Sequence, residues 1–591
     1  MSETQLRGCE YLLAETDLAQ LFTPEDFSDE HRQIAETTEQ FVTNEVLPHI
    51  EEIDAQNFEL TAELLRKCGE LGLLMIDGPE EYGGLDLDKV TSMLVAEKIG
   101  AAGAFATTSM GHTGIGTLPL VYYGTPEQKE RYLDKLMTAE MISAYCLSEP
   151  GAGSDALGVK TTATLSADGK YYILNGTKQF ISNAAFADLF TVFAKVDKQH
   201  FTGFLIERGF PGVIIGPEEK KLGIKGSSTC QLILDNVRVP VENLLGEIGK
   251  GHKIAFNVLN VGRFKLGAGV TGAAKHAFAE GAKYANERKQ FGTSIGGFGA
   301  IKEKLADMTA GIFASESVVY RLAGLLDDRL DGLDKGADDY YAKYQKGIEE
   351  YAAECAIAKV FCTEVQAFVV DEVLQIHGGY GFVNEYPAER FYRDARISRI
   401  YEGTNEINRI LIPGIILGKG SKGELPLQAA IKESLAALAT SPADMAAEGP
   451  FAEERQLLKR LKPLALVILG IAVEKFQDRL QQEQEVLMTV ADMAIQIFAL
   501  ESTVLRAEKA YAQASPGKKE LYLAVAQVCA YKANEQVVCA AQKGAFYIAE
   551  DETLQKLRSA VQRFGQYDAN GLLNSKRVLA AAASEAERYP F

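Results

Sequence analysis

The sequence predicts a multidomain α+β protein in which helical regions flank a β-rich region and a further helical region follows. Three observations predict this order: helical apolar periodicity over residues 28–145, short β-rich runs over 146–250, and long helical patterns over 251–417 and 424–591. The chain has 591 residues, of which 47% are hydrophobic and 24% charged, so it can build several domain cores.

The first region, residues 1–145, is predicted to be an α-helical domain. Four apolar residues fall on one helical face: Ile34, Phe41, Val42 and Val46. Five leucines continue the apolar pattern: Leu64, Leu65, Leu71, Leu73 and Leu74.

The second region, residues 146–250, is predicted to be a β domain. Residues 171–174 and 177–181 flank Asn175-Gly176, and this pair predicts a hairpin turn because both residues tolerate positive φ. Further strands are predicted at 189–196, 203–206 and 230–239.

The third region, 251–417, is predicted to be a helical bundle, and the fourth, 424–591, a C-terminal helical extension. The glycine-rich residues 418–423 between them predict a linker. The extension carries an apolar stripe at helical spacing, which indicates core: Leu487, Val490, Met493, Ile497 and Leu500.

Charge and cysteine usage exclude several classes of function. A net charge of −20 argues against a nucleic-acid surface but leaves room for local phosphate binding. Eight scattered cysteines, without metal-ligand spacing to histidine or to each other, predict reduced thiols and no metal site. Residues 1–5 show neither a secretory signal nor a transit peptide, so we expect a cytoplasmic protein.

Residues 267–272 match the dinucleotide fingerprint G-x-G-x-x-G, but the context is wrong for a Rossmann fold. An apolar strand should precede the motif, whereas residues 260–265 read Asn-Val-Gly-Arg-Phe-Lys and alanine-rich helical sequence follows to 285. We therefore expect these small residues to let two helices approach closely.

Residues 401–406 read Tyr-Glu-Gly-Thr-Asn-Glu and place Glu402 between an aromatic residue and a glycine turn. Burial there would disfavour the carboxylate, raise its pKa and make Glu402 a usable general base. The alternative for the hexapeptide alone is a solvated turn.

Three other blocks accompany this one: residues 145–155 (Tyr-Cys-Leu-Ser-Glu-Pro-Gly-Ala-Gly-Ser-Asp), 286–292 (Asn-Glu-Arg-Lys-Gln-Phe-Gly) and 375–382 (Gln-Ile-His-Gly-Gly-Tyr-Gly-Phe). Each alone fits a plain turn or a helix end. Together, in this order and spacing, the four blocks resemble the acyl-CoA dehydrogenase family over residues 27–418, and the long tail resembles its very-long-chain branch.

The resemblance implies an N-terminal helical domain, a β-barrel-like middle domain, a helical bundle and an extra C-terminal helical domain. It implies FAD-dependent α,β-dehydrogenation of acyl-CoA thioesters to trans-2-enoyl-CoA in fatty-acid β-oxidation. Glu402 would be the base, its backbone N–H and the flavin ribityl hydroxyl would polarise the thioester carbonyl, and electrons would pass to an electron-transfer flavoprotein.

The resemblance also assigns binding residues. Those implied for FAD are Leu147, Ser148, Gly153, Ser154, Phe180, Ser182, Arg288, Gln290, Phe291, Gln375, Gly378, Gly379, Thr404 and Glu406. Those implied for acyl-CoA are Ser154, Asn260, Arg263, Tyr401 and Gly403. Phe180 stands where the family usually has a tryptophan, and the chain has no tryptophan. His377 is interpreted as a structural donor.

Some relatives carry their base at the position of Gly262, which cannot take a proton, so the base must come from elsewhere. Arg288 resembles a segment that a neighbouring subunit lends to FAD, which implies an oligomer, and the extension implies a homodimer.

Several alternatives stay open. An acyl-CoA oxidase would share fold and base, and a non-enzymatic assembly factor could reuse the scaffold. The tail implies long acyl chains. In very-long-chain relatives two glycines open the floor of the acyl cavity at the segment 111–119; Gly116 matches one of them, but Pro119 stands at the other, which leaves medium chains open. Residues 457–473 mix basic and apolar side chains, but Pro463 and the net charge favour burial over membrane binding, so we expect at most weak membrane association.

Overall fold

The computed structural model of the chain describes residues 6–438 and 448–591. Residues 1–5, on which the expectation about leader sequences depends, lie outside the described residues. The predicted order of helical, β, helical and helical regions is confirmed.

The described part of the N-terminal domain contains seven α-helices: α1 (Asp29–Phe41), α2 (Ile50–Asp54), α3 (Phe58–Glu70), α4 (Lys89–Gly100), α5 (Ala104–Met110), α6 (Leu118–Tyr123) and α7 (Pro126–Met137). Helix α1 begins at Asp29 because the Ser28 side chain accepts a hydrogen bond from the His31 N–H. The predicted apolar residues Phe41 and Val46 are buried. The expectation for Leu71 was wrong: α3 ends at Glu70, and Leu71 is 47% exposed.

The middle domain is one mixed eight-stranded sheet. Its strands are β1 (Ser143–Cys146), β2 (Thr162–Leu165), β3 (Tyr171–Ser182), β4 (Leu189–Val196), β5 (His200–Glu207), β6 (Val213–Ile215), β7 (Thr229–Pro240) and β8 (Leu244–Leu245). The strand order is β6-β7-β3-β2-β4-β5-β8, and β1 adds in parallel to β4. The strands predicted at 189–196, 203–206 and 230–239 are confirmed as β4, β5 and β7.

The predicted hairpin at Asn175-Gly176 was wrong. Strand β3 runs unbroken through both residues and pairs antiparallel with β7, with a register shift between Leu174 and Gly176. A Cβ on Gly176 would lie 2.3 Å from Thr161 Oγ1. The glycine therefore serves a close approach at a β-bulge, a use of glycine that sequence alone cannot separate from a turn.

The helical bundle comprises α8 (Gly251–Glu287), α9 (Gly299–Leu330), α10 (Tyr340–Glu350), α11 (Ala352–His377), α12 (Ala388–Ala395) and α13 (Asn405–Ser421). Two short strands, β9 (Lys289–Gln290) and β10 (Thr293–Ser294), follow α8. The rejection of a Rossmann motif is confirmed, because residues 267–272 lie inside α8. A Cβ on Gly272 would overlap the Glu97 carbonyl of α4, and one on Gly267 would touch Ala358 of α11.

The linker predicted at 418–423 was wrong over most of its length. Helix α13 continues to Ser421 because Ile412 and Ile416 are buried and Lys419, also buried, pairs with Glu350 at 2.7 Å. The chain turns only at Gly423, whose φ is 73°.

The C-terminal extension contains α14 (Leu427–Ala437), α15 (Ala452–Phe476), α16 (Gln484–Gln513), α17 (Pro516–Ile548), α18 (Asp551–Phe564) and α19 (Leu572–Ala586). The apolar stripe of α16 is buried as predicted. The apolar part of α15 is also buried, as predicted, although Pro463 lies inside that helix. Within the described ranges, α16 alone is long and apolar enough to cross a membrane, and 83% of its apolar window is buried against protein.

Residues 6–27 form a strap between the extension and the helical bundle. Lys462 of α15 donates to the Ala14 carbonyl at 2.7 Å, and Thr16 donates to Glu501 of α16 at 3.0 Å. Arg506 of α16 is buried between Glu25 of the strap, at 3.0 Å, and Glu316 of α9, at 2.6 Å. The buried Arg506 therefore joins the strap, α9 and α16 at one place.

Replacing Arg506 by methionine is expected to destabilise the fold by about 3–5 kcal/mol, because two carboxylates would lose a buried partner. The midpoint of chemical denaturation measures this. Lys556→Met is the control, since Lys556 pairs with Glu552 on the exposed surface of α18 and such pairs contribute about 0–1 kcal/mol. Equal midpoints for the two variants would contradict the role given to Arg506.

Candidate active site

The turn that carries Glu402 has an unusual backbone. Glu402 and Gly403 have φ of 57° and 80°, and the left-handed conformation costs a non-glycine residue about 1–2 kcal/mol. Side-chain donors hold the carbonyls of this turn. Asn408 Nδ2 reaches the carbonyl oxygens of residues 402, 403 and 404 at 3.3, 2.8 and 3.1 Å. The surrounding structure thus compensates the strain at Glu402.

Two cations reinforce the same turn. Arg263 of α8 donates from Nε to the Glu402 carbonyl at 3.4 Å and from Nη1 to Asn260 Oδ1 at 2.9 Å. Lys359 of α11 donates to the Gly403 carbonyl at 2.8 Å. The Thr404 side chain accepts from the Ile407 N–H and begins α13. The sequence analysis missed Lys359 and Asn408, which only the packing of α11 and α13 brings to the turn.

The Glu402 carboxylate points at Gly262 of α8. A Cβ at 262 would lie 2.6 Å from Glu402 Oε2 and 3.2 Å from Ile115 Cγ2. Oε2 is buried and has no hydrogen-bond partner among the described residues. Burial raises the pKa of Glu402 to about 7, against the opposing charges of Arg263 and Lys359. A carboxyl group with this pKa can act as a base near neutrality.

Two cavities lie in this region, and one of them is lined by Tyr401, the residue before the base. One cavity is lined by Tyr401 and Thr107 and continues along α8 past Gly269, and a second is lined by Thr113 and Lys265. Met110 lines both cavities.

The expectation that Gly116 opens the floor of an acyl cavity was wrong. A Cβ on Gly116 would lie 2.4 Å from Ser143 Oγ, so this glycine faces strand β1. From this segment, Thr113, Thr117 and Leu118 line the second cavity.

The first group of residues implied for FAD lies on the middle domain. The Ser148 carbonyl accepts from the Gln179 N–H at 2.9 Å, so the loop after β1 lies beside Phe180. Phe180 has φ of 59° and is 65% exposed, whereas Leu147 is buried and Ser182 partly so. Gly153 and Ser154 lie exposed further along the loop.

Glu149 fixes this loop, a role that the sequence analysis missed. Its carboxylate accepts from the Lys178 ammonium at 2.8 Å and from the Lys160 N–H at 2.6 Å. Lys178 is buried on β3, and its charge, with the hydrogen bonds, holds the pKa of Glu149 below its usual value against the effect of burial. The loop is therefore rigidly attached to the strand that carries Phe180.

The second group lies on the surface of the helical bundle. Arg288 stands over the Tyr380 ring at 5.2 Å, which brings the 286–292 and 375–382 blocks together. Phe291 is 95% exposed at φ 53°, and Gln290 and Gln375 are exposed as well. His377 donates from Nδ1 to the Val373 carbonyl at 2.8 Å and stacks on Tyr284, which confirms its structural role.

Both groups fit a flavin dinucleotide. No heavy atom lies within 4 Å of a Cβ built on Gly153, Gly378 or Gly379, so phosphates can approach the backbone there. Phe180 and Phe291 are large apolar side chains held exposed on strained backbone, an arrangement that a planar ligand would cover. Thr404 lies on the base turn, and Glu406 is exposed on α13.

Comparison with known proteins agrees with this geometry. Residues 28–140, 144–237 and 249–416 match the N-terminal, middle and C-terminal domains of acyl-CoA dehydrogenase, and residues 460–563 match a further acyl-CoA dehydrogenase C-terminal domain. A probable acyl-CoA dehydrogenase of Bacillus subtilis (strain 168) is 46% identical over 99% of this chain and 98% of its own length. The chain belongs to the acyl-CoA dehydrogenase family.

Two further relatives extend the comparison. The mitochondrial very long-chain specific acyl-CoA dehydrogenase of Homo sapiens is 35% identical over 78% of this chain and 71% of its own length. The crystal structure of an acyl-CoA dehydrogenase complexed with FAD from Bacillus anthracis superposes with a TM-score of 0.96, at 46% identity, over 99% of this chain and 100% of that one. The extension is thus part of a shared architecture.

Replacing Gly262 by alanine is expected to lower the rate of acyl-CoA oxidation about 100-fold, because the new methyl group would displace the Glu402 carboxylate by the order of an ångström. A dye-reduction assay measures the rate. Gly267→Ala is the control on the same helix, since its Cβ would meet Ala358 at an ordinary 3.4 Å. Equal rates for the two variants would show that the carboxylate does not need the space at Gly262.

Proposed function

We propose that the protein oxidises acyl-CoA thioesters to trans-2-enoyl-CoA in fatty-acid β-oxidation, with Glu402 as the general base. The observation that carries this proposal is the Glu402 carboxylate, whose Oε2 is buried without a hydrogen-bond partner among the described residues and whose pKa burial raises to about 7. A carboxylate that is poorly solvated and not engaged by any donor is ready to accept a proton from carbon.

In the reaction, Glu402 removes the proton from the α-carbon. The electron pair of that C–H bond becomes the new Cα=Cβ bond, and a hydride leaves the β-carbon. The two groups of residues described above would hold FAD, which would supply the hydride acceptor. The chain's own residues orient the substrate and move the proton.

The Glu402 backbone N–H is suited to orient the thioester carbonyl. It makes no backbone hydrogen bond in the described part of the chain, so its donor is available. Such a donor stabilises negative charge that develops on the carbonyl oxygen as the α-proton leaves. Asn260 and Arg263 are buried on α8 next to the turn, and the proposal assigns them, with Tyr401, Gly403 and Ser154, to substrate binding.

Glu402→Gln is expected to retain FAD and bind acyl-CoA but to lose flavin reduction by at least about 10²–10⁴-fold, the usual cost of removing a general base. Anaerobic bleaching of the flavin by acyl-CoA measures the loss. Glu433→Gln, a change at an exposed carboxylate on α14, is the control. Near wild-type bleaching in Glu402→Gln would remove Glu402 from the mechanism.

The proposal also covers the electron acceptor, the cellular location and the membrane association of the enzyme. We propose an electron-transfer flavoprotein as acceptor, and substrate-dependent oxygen consumption without an added acceptor would instead indicate an oxidase. The net charge of −20 and the buried apolar face of α15 support a cytoplasmic protein with at most weak membrane association.

The active enzyme is expected to be a homodimer in which Arg288 contributes to the FAD of the partner, because the Arg288 and Phe291 group lies exposed on the bundle surface. Light scattering of the flavin-loaded protein should give a dimer mass, and Arg288→Gln should lower its FAD content. Arg238→Gln is the control, since Arg238 stands over Tyr171 at 4.5 Å in a similar pair on β7. A flavin-loaded monomer would contradict the shared site, and a tetramer would contradict the dimer.

A further inference from the structure

Lys359 is a buried cation that the proposed reaction does not use. It lies on α11 with no exposed surface, and its Nζ donates to the Gly403 carbonyl at 2.8 Å and to Asn405 Oδ1 at 2.6 Å. Both acceptors lie within three residues of Glu402. A buried ammonium group is costly unless its environment compensates it, so its position against this turn calls for a functional explanation.

The contacts of Lys359 continue into a polar network. Asn405 Nδ2 donates to Glu364 Oε1 at 3.0 Å, and Arg409 binds both oxygens of Glu364 at 2.6 and 2.9 Å. Arg409 also reaches Asp492 of α16 at 2.7 Å. Lys359 is therefore held in one place by residues of α11, α13 and, at one remove, the C-terminal extension.

We propose that Lys359 is a positioning residue for Glu402: its ammonium group fixes the left-handed turn through the Gly403 carbonyl, and its charge favours the ionised form of the carboxylate. This inference rests on the proposed role of Glu402 as the base. Lys359 acts through Glu402 and touches neither substrate nor reacting atoms in this assignment.

The charges around Lys359 and Glu402 support the proposed effect of Lys359 on the ionisation of the carboxylate. The groups that face Lys359 are Arg263 of α8, Glu402 of the turn, Glu406 of α13 and Glu364 of α11 itself. Burial lowers the pKa of Lys359 to about 7, while the negative charge of Glu402 opposes that change. When Glu402 is ionised, Lys359 is accordingly stabilised in its charged form. Loss of this cation leaves burial and Arg263 to set the pKa of Glu402, which must rise.

The test is the pH profile of anaerobic flavin reduction by acyl-CoA in Lys359→Gln, Lys359→Met and Lys359→Arg. The wild-type rate should rise with a midpoint of about pH 7, because Glu402 must lose its proton to act. Lys359→Gln keeps a donor but no charge, so its midpoint should rise by about one pH unit, a tenfold loss on the acid side, with its alkaline plateau largely kept.

The other two variants separate position from charge. Lys359→Met lacks both the hydrogen-bond donor and the charge. It should therefore show the raised midpoint and also a plateau lowered at least about tenfold by the loosened turn. Lys359→Arg keeps the charge and should restore the midpoint towards wild type. Lys462→Met is the matched control. Lys462 is also buried, and it donates to the Ala14 carbonyl and to the carboxylate of Glu501.

Wild-type midpoints and plateaus in both Lys359→Gln and Lys359→Met would overturn the inference. So would loss of FAD from both variants while Lys462→Met retains it, because Lys359 would then serve the fold alone. Glu402→Gln, measured alongside, keeps the two proposals apart. If that variant is inactive while the Lys359 profiles are unchanged, only the positioning role fails; if it is active, the assignment of the base fails first.

Discussion

The structure depends on one close approach: Glu402 faces a helix position that has no side chain. Any Cβ at 262 would occupy the space of the carboxylate, so the bare backbone of α8 leaves room for an acid that is buried yet unpaired. An unpaired buried carboxyl is expensive, and the cost appears as a raised pKa rather than as a buried charge. The same property makes the group a base at neutral pH.

Such a site requires rigid support, and the fold supplies it from several directions. Asn408, Arg263 and Lys359 hold three consecutive turn carbonyls, which stabilises a backbone conformation that a glutamate rarely adopts. Through Glu364 and Arg409 this support reaches α16. The extension is in turn anchored to the core by the buried Arg506, which pairs with Glu25 of the N-terminal strap and with Glu316 of α9. The C-terminal extension therefore contributes to the support of the turn that carries Glu402.

Sequence patterns anticipated the features that local chemistry determines. The strand at 189–196, the buried stripe of α16 and the interior location of residues 267–272 follow from periodicity and from the absence of a preceding strand. Glu402 could be identified from the tyrosine and the glycine beside it and from the order of the four sequence blocks. Errors arose where tertiary contacts decide the role of a residue. The sequence predicted a turn at Gly176 and an opening of the acyl cavity at Gly116, but each glycine makes room for a neighbouring side chain. Lys359 carried no signal, since nothing in the sequence of α11 indicates that its one lysine faces a turn 43 residues later.

The central claim is that Glu402 holds its proton up to about neutral pH in the free enzyme. Infrared difference spectroscopy across a pH titration tests this directly, because a protonated carboxyl group has its own C=O band. Glu354 is also buried with a pKa raised to about 7, so the spectrum of Glu402→Gln must be subtracted to isolate Glu402. The account predicts a carboxyl band that disappears with a midpoint near pH 7 and is missing from Glu402→Gln. A midpoint near the usual value of about 4.3 for glutamate, or an unchanged band in Glu402→Gln, would contradict it.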